Sequence, residues 1–416
     1  MPYFAVSRSR NLSGNIKIQG SKNLILPLMA VAVLAKGEFV FDNCPDITDV
    51  RNTMNILEVI GCKTDFSNSS LMIETEKIDM YDIPQEYSEK MRSSFLFLGA
   101  LLSRCKIARI PKPGGCNIGK RPIDIHLKAF ESMGVIVREE DSIYADAGDL
   151  RDAYIRLEFP SVGATENIIL LASKSDIDVV IDNAAREPEV REMCNVLNMM
   201  GANIHMDFAG KIVIHGVKEL KPIKISVMGD RICAGTYMIA VGICGGDVLL
   251  EGIGYNEMLG TVEVLGNMGI EISKYNEKNI RVVSRDRLKN INNISTEPFP
   301  GFPTDMQSQL MTLASLSEGS LMLYENIFED RFRIATQLNQ MGARIDVKKN
   351  IAYIHGVDVL YGSKVKAADL RGGAALLLAG LGAEGTTIVE NTEYIKRGYE
   401  DIVRDISIVG GNISVI

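Results

Sequence analysis

One short pattern recurs six times along the chain, and it restricts the fold more than any single motif does. An apolar helical stretch ends in glycine and passes at once into a brief strand of alternating polarity. The copies are Leu57-Glu58-Val59-Ile60-Gly61, Ser132-Met133-Gly134-Val135-Ile136, Met199-Met200-Gly201-Ala202-Asn203-Ile204, Asn267-Met268-Gly269-Ile270-Glu271-Ile272, Gln340-Met341-Gly342-Ala343-Arg344-Ile345 and Ile408-Val409-Gly410-Gly411-Asn412-Ile413. A glycine at that place predicts a left-handed C-cap that ends the helix and turns the chain into the strand. Between these marks lies a second signal, an Ala- and Leu-rich helix followed by a turn residue and an apolar strand, at 32–41, 171–181, 239–250, 313–323 and 377–389. Ile214-His215-Gly216-Val217 and Ile354-His355-Gly356-Val357 repeat the same strand ending. The recurrence predicts six units of roughly 70 residues, each with two helices and several strands. That period is too long for a solenoid module, and six such units divide into two domains of three. A lysine-rich stretch around Pro222, 218–224, reads as the linker between them. Paired lobes of similar build predict a cleft where ligands bind.

Composition narrows the class. A chain of 416 residues, 46% hydrophobic and 24% charged, has ample material for a soluble core. Its net charge of −8 argues against a general binder of nucleic acid or acidic membranes, so any anion recognition must be local. The first twenty residues carry Arg8, Arg10 and Lys17 and no apolar run of signal-peptide type. The longest apolar stretch, 24–35, is interrupted by Pro27 and is shorter than the ~20 residues of a membrane span, and a cytoplasmic location is expected. Cysteines 44, 62, 105, 116, 194, 233 and 244 show no C-x-x-C pair, and His126, His205, His215 and His355 lack ligand spacing. Neither a disulfide framework nor a metal site is expected.

Against that acidic background, residues 90–123 contain Lys90, Arg92, Arg104, Lys106, Arg109, Lys112, Lys120 and Arg121 and no carboxylate. The segment closes on Pro113-Gly114-Gly115-Cys116-Asn117-Ile118-Gly119-Lys120-Arg121-Pro122. Glycines there free backbone N–H groups to face an anion, and a thiol so placed is a candidate for chemistry. A basic stretch and a Gly/Pro-rich decamer are also what a solvated surface loop looks like.

Five further segments stand out. In Gly20-Ser21-Lys22-Asn23, Ser21 or Asn23 can cap the helical run from Leu24, and a lysine at that positively polarised end suits an anion ligand better than a helix stabiliser. Phe302-Pro303-Thr304-Asp305-Met306-Gln307 places one carboxylate after a proline-fixed turn, where by itself it reads as an ordinary N-cap. Arg371 in Ala368-Asp369-Leu370-Arg371-Gly372-Gly373 and Arg397 in Lys396-Arg397-Gly398-Tyr399-Glu400 are surface cations or first-turn residues of helices, as is the Asn183 to Glu189 run.

Taken in order, these segments resemble the enolpyruvyl transferases, on the branch that acts on UDP-N-acetylglucosamine, with the shikimate 3-phosphate branch as the nearest rival. The resemblance runs nearly end to end. It is carried by Gly20 to Asn23, Met91-Arg92-Ser93-Ser94, the Cys116 loop with Arg121-Pro122-Ile123-Asp124, Ser161-Val162-Gly163-Ala164-Thr165-Glu166-Asn167, the Asn183 to Glu189 run, Asp230-Arg231, Phe302 to Gln307, Asp369-Leu370-Arg371 and Arg397 to Glu400. It implies a two-lobed inside-out α/β barrel of six βαβαββ units, three per lobe. Residues 1–21 with 229–416 would form the C-terminal lobe, 22–228 the N-terminal lobe, and the active site would lie in the cleft.

The implied reaction moves the enolpyruvyl group of phosphoenolpyruvate to the sugar 3-hydroxyl of UDP-N-acetylglucosamine. No metal, organic cofactor or obligate protein partner is implied. Addition and elimination through a tetrahedral ketal need an acid and a base, which the resemblance assigns to Cys116 and Asp305. Lys22, Arg121 and Arg397 would neutralise the phosphate and Arg371 the carboxylate, with Asn23 beside them. The nucleotide sugar is assigned to Asn23, Arg92, Arg121, Pro122, Ile123, Asp124, Ile125, Ser161, Val162, Gly163, Asp305 and Ile327. Cys116 is also the expected site of covalent modification. Phe159 and Thr48 stand where some members of the family carry lysine. A noncatalytic nucleotide-sugar binder of the same descent would be expected to lose Cys116, Asp305 or an arginine, and all are kept. An oxidation-sensing thiol protein lacks a resolving cysteine at useful spacing.

Overall fold

The computed structural model describes residues 3–89, 91–112, 119 and 123–416. They divide into two compact units. The C-terminal unit holds the described residues up to Gln19 together with Gly229–Ile416, and the N-terminal unit holds the others, apart from the Gly119 segment, up to Met228.

Each unit repeats one plan three times. An edge strand runs into an inner helix, the chain returns as a central strand parallel to the first, an outer helix follows, and two antiparallel strands complete the sheet. In the C-terminal unit the repeat from Asn293–Ser295 shows it plainly: the edge strand pairs parallel with Ser320–Tyr324, which pairs antiparallel with Ile351–His355, and this with Arg344–Lys348. Two sheets borrow from the beginning of the chain. Leu12–Lys17 is the parallel edge partner of Gly246–Glu251, and Phe4–Ser7 lies between Thr386–Glu390 and Ile413–Val415. In the second repeat of the N-terminal unit the edge strand shrinks to a single parallel bridge, Asp82 to Arg109.

The inner helices are Lys22–Ala32, Leu96–Cys105 and Val162–Ser173 in one unit and Arg231–Cys244, Gln307–Leu316 and Leu370–Gly382 in the other. Their sequences are apolar nearly all round, which forces burial on every side, and within each unit the three pack against one another. The outer helices are amphipathic: Thr48–Val59 buries Val50, Thr53, Met54, Ile56 and Leu57, spaced to share one face. The glycines that mark the repeat, at 61, 134, 201, 269, 342 and 410, all have φ between 92° and 112°, the left-handed region expected of a helix-ending glycine.

Three expectations change. The 218–224 stretch is not simply a linker: it leads into Lys224–Ser226, a strand paired parallel to Glu38–Asp42, because the first repeat needs an edge strand that its own sequence does not precede. Pro27 does not break the apolar stretch; it lies inside helix Lys22–Ala32, near enough to the start that the only bond forfeited is the one to the first turn. Ser21 is the N-cap of that helix, but its side chain makes no capping bond. No helix among the described residues is long and apolar enough to cross a membrane.

Candidate active site

In the C-terminal unit the three inner helices begin at aspartates, with two different uses. Asp230 Oδ1 accepts from the N–H groups of Ile232 and Cys233 at 2.8 and 3.0 Å, and Asp369 Oδ1 accepts from those of Arg371 and Gly372, both at 2.9 Å. These are caps on the positive end of a helix. Asp305 sits on the single turn Thr304–Met306 ahead of helix Gln307–Leu316, in the corresponding place, but does not cap. Its Oδ1 accepts from Arg331 Nη2 at 2.8 Å, and its Oδ2 from Arg371 Nη2 at 2.9 Å and Nε at 3.3 Å.

The two arginines are held from behind. Arg331 Nη1 donates to Thr304 Oγ1 at 2.8 Å, and that hydroxyl donates to Glu325 Oε2 at 2.9 Å. Arg371 lies 5.9 Å over the Tyr399 ring, whose hydroxyl is 2.8 Å from Thr236 Oγ1. The arginine side chains are 4% and 3% exposed, whereas that of Asp305 is 25% exposed. Burial alone would raise the Asp305 carboxyl, but Arg371 and Arg331 outweigh it and hold it well below the usual carboxylate range. Burial would likewise discharge Arg371, and Asp305 opposes that and keeps it charged. Even so, Arg331 Nε and Arg371 Nη1 are buried with no hydrogen-bond partner among the described residues. Two guanidiniums therefore already grip one carboxylate and retain donors for another anion.

In the N-terminal unit Lys22 opens its helix and meets a carboxylate: Nζ is 2.7 Å from Asp49 Oδ2, the side chains being 12% and 3% exposed. Gly20, just before it, has no room for a side chain, since a Cβ would fall 1.8 Å from the Asn43 carbonyl oxygen. Ser161 caps helix Val162–Ser173, its Oγ accepting from Ala164 N at 3.4 Å. Arg92 lies on the short turn Arg92–Phe95, and Asp124 opens helix Asp124–Ser132. Asn23, Arg92, Ile123, Ile125, Ser161, Val162 and Gly163 are half-buried and Asp124 is exposed.

The same unit buries Glu166 on the Ser161 helix, with Oε1 lacking a hydrogen-bond partner among the described residues. Burial, then the carboxylates of Glu189 and Glu187, push its carboxyl well above the ordinary glutamate range. A group whose folded pKa is raised stabilises the fold at low pH and loses that contribution as pH rises through the folded value. Glu166→Gln is therefore expected to melt at higher temperature than the parent, by a margin that grows as pH rises above the ordinary glutamate range. A gain of 1 kcal/mol corresponds to about 2–4 °C for a domain of this size. Thermal melts that show a constant or shrinking margin would contradict a proton held at Glu166.

Of the residues singled out from sequence, the structure brings Asp305 and Arg371 into contact. Arg397 lies half-buried on the turn Ile395–Arg397, and Ile327 donates its N–H to Glu325 Oε1 at 2.9 Å. Cys116, Lys120, Arg121, Pro122 and Lys90 lie outside the described residues. Arg331 and Asp49 were missed. Arg331 is as far past the central strand Ser320–Tyr324 as Arg397 is past Thr386–Glu390, so aligning the repeats would have found it. Asp49 and Glu189 are likewise the second residues of outer helices, and both are 2% exposed. Among the described residues no cluster of His, Cys, Asp or Glu has the makings of a metal site.

Comparison with known proteins fixes the kinship. The family described as EPSP synthase (3-phosphoshikimate 1-carboxyvinyltransferase) matches residues 6–406. UDP-N-acetylglucosamine 1-carboxyvinyltransferase 2 of Caldanaerobacter subterraneus subsp. tengcongensis is 42% identical over 414 residues, with 99% of each chain covered. UDP-N-acetylglucosamine 1-carboxyvinyltransferase of Halothermothrix orenii is also 42% identical, again with 99% of each covered. Among solved structures, the enolpyruvyl transferase NikO from Streptomyces tendae superposes with a TM-score of 0.88 at 23% identity, covering 100% of this chain and 98% of that one. EPSP synthase from Acinetobacter baumannii gives 0.78 at 18% identity with both chains fully covered, 100% each, so the fold is shared well beyond recognisable sequence. The family match over residues 6–406 and full-length identity at this level place the chain in the enolpyruvyl transferase family, among the UDP-N-acetylglucosamine 1-carboxyvinyltransferases.

Proposed function

We propose that the protein transfers the enolpyruvyl group of phosphoenolpyruvate to the 3-hydroxyl of UDP-N-acetylglucosamine and releases phosphate, as the first committed step of peptidoglycan synthesis. The observation that carries this reading is the Arg331–Asp305–Arg371 cluster, a base candidate set in a fork that already binds a carboxylate.

The chemistry assigns each group a task. Asp305 takes the proton of the sugar 3-hydroxyl as its oxygen attacks C2 of phosphoenolpyruvate, and Cys116 delivers a proton to C3, giving a tetrahedral ketal. Loss of a proton from the new methyl group and departure of phosphate restore the double bond, so the net result is transfer with phosphate released. Arg371, joined by Arg331, holds the carboxylate of phosphoenolpyruvate, while Lys22, Arg121 and Arg397 neutralise its phosphate. Clamping both ends orients the double bond before attack. The Lys22–Asp49 contact is compatible with this assignment, because a buried partner fixes the position of the ammonium.

The nucleotide sugar is proposed to bind along Asn23, Arg92, the 121–125 stretch, Ser161, Val162, Gly163, Asp305 and Ile327. The capped start of helix Val162–Ser173 suits its diphosphate, since the free N–H groups and the helix dipole both favour an anion. Cys116, in its basic loop, is the proposed point of attack by electrophiles such as the epoxide fosfomycin. The reading is tested by proton NMR of the product formed from the two substrates. New vinyl signals on a sugar substituted at O3 are expected, and substitution at another hydroxyl, or none, would contradict it.

A further inference from the structure

A general base needs appreciable proton affinity, yet Asp305 is gripped by three N–H donors of two buried arginines. An opposite charge at this range favours the ionised carboxylate and so weakens it as a base. We propose that in the unliganded protein Asp305 is held inactive by Arg331 and Arg371, and that the carboxylate of the arriving substrate, by taking over the donors of these guanidiniums, releases Asp305 as a base. The inference rests on the proposed reaction and adds to it a reason why the base does not act before phosphoenolpyruvate is present.

The geometry favours such an exchange over simple addition. Each arginine is anchored independently of Asp305, Arg331 through Thr304 and Glu325, and Arg371 by its place beside Tyr399. The cations therefore stay in place when the carboxylate lets go. Arg331 Nε and Arg371 Nη1, buried and lacking acceptors among the described residues, are donors left over for an anion that takes the place of Asp305. Asp305 is the most exposed member of the three, the one free to turn toward another partner. Among the described residues, the charged and titratable groups around the carboxylate are Arg331 and Arg371 directly, and behind them Glu325, Asp230, Cys233 and Tyr399. None of those behind contacts Asp305 through a hydrogen bond among the described residues, so the two arginines govern its proton affinity.

The test follows the protonated-carboxyl infrared band of Asp305, isolated as the difference between the protein and Asp305→Asn, over a range of pH. Three conditions are compared: no ligand, saturating inorganic phosphate, and saturating phospholactate, which carries phosphate and carboxylate but no double bond. Phospholactate is expected to raise the proton affinity of Asp305 by at least about tenfold, equivalent to one pKa unit. Phosphate alone should leave it near the unliganded value. In unliganded Arg331→Gln, which removes one of the two guanidiniums, the band should already appear at higher pH than in the parent.

An unchanged midpoint with phospholactate, or an equal rise with phosphate alone, would overturn the release mechanism. Product analysis separates this from failure of the functional reading. A protein that makes the enolpyruvyl ether with an unmoved midpoint loses only the release mechanism, and one whose midpoint moves but which makes no ether keeps the mechanism and loses the assigned substrate.

Discussion

Asp305→Asn is expected to lower turnover by about 10²–10⁴-fold, the range typical of losing a positioned acid or base. The amide keeps the size of the side chain and one acceptor oxygen, so neighbours need not repack. It removes the charge that Arg331 and Arg371 share, however, and both guanidiniums are nearly fully buried. Removing one partner of a buried ion pair costs about 3–5 kcal/mol where solvent is excluded. Here the cost should be less, because a quarter of the Asp305 side chain is exposed, at 25%, and water or a dissolved anion can take its place. The variant should therefore fold, melt below the parent, and regain part of that loss on addition of inorganic phosphate. A rate within a factor of a few of the parent, in protein that is properly folded, would remove Asp305 from the chemistry.

The second large effect is expected at Cys116. Cys116→Ser should lose about 10²–10⁴-fold in turnover, whereas Cys116→Asp should retain it. A thiol has an ordinary pKa of ~8.5 and donates a proton far more readily than a serine hydroxyl. An aspartic acid is a stronger acid still, provided that it is protonated in the complex. Lys120 and Arg121 stand close in sequence and would favour the thiolate, while bound phosphoenolpyruvate would supply the negative charge that returns the proton to sulfur. The same exchange separates donation from nucleophilicity: fosfomycin should inactivate the parent and leave Cys116→Asp untouched. Equal, near-normal rates in both variants would refute the proton-donor role, and mass spectrometry would locate any adduct formed elsewhere.

How much of this was legible in the sequence follows from the range over which each signal acts. A glycine that ends a helix is a local signal, so the six repeats could be read directly, and all six glycines adopt the expected conformation. Partners of edge strands are not local. Nothing near Leu12–Lys17 indicates that it pairs with Gly246–Glu251, and Lys224–Ser226 reads as linker until its neighbour Glu38–Asp42 is known.

The site shows the same division. Asp305 and Arg371 were recognisable separately from their motifs, but a lone aspartate before an apolar helix reads as a cap, which is what Asp230 and Asp369 are. Only the fold shows that Asp305 departs from its two counterparts. Arg331 was hidden in the charged run Glu329-Asp330-Arg331-Phe332-Arg333, which looks like a solvated turn, although its own side chain is 4% exposed. Comparison of the repeats with one another, which places it opposite Arg397, carries information that motif reading discards.

The central claim is the identity of the acceptor, and one assay bears on it most directly: phosphate release from phosphoenolpyruvate in the presence of UDP-N-acetylglucosamine, measured beside the same reaction with shikimate 3-phosphate. Release dependent on the nucleotide sugar, and absent with shikimate 3-phosphate, is the predicted result. Release with shikimate 3-phosphate alone would contradict it.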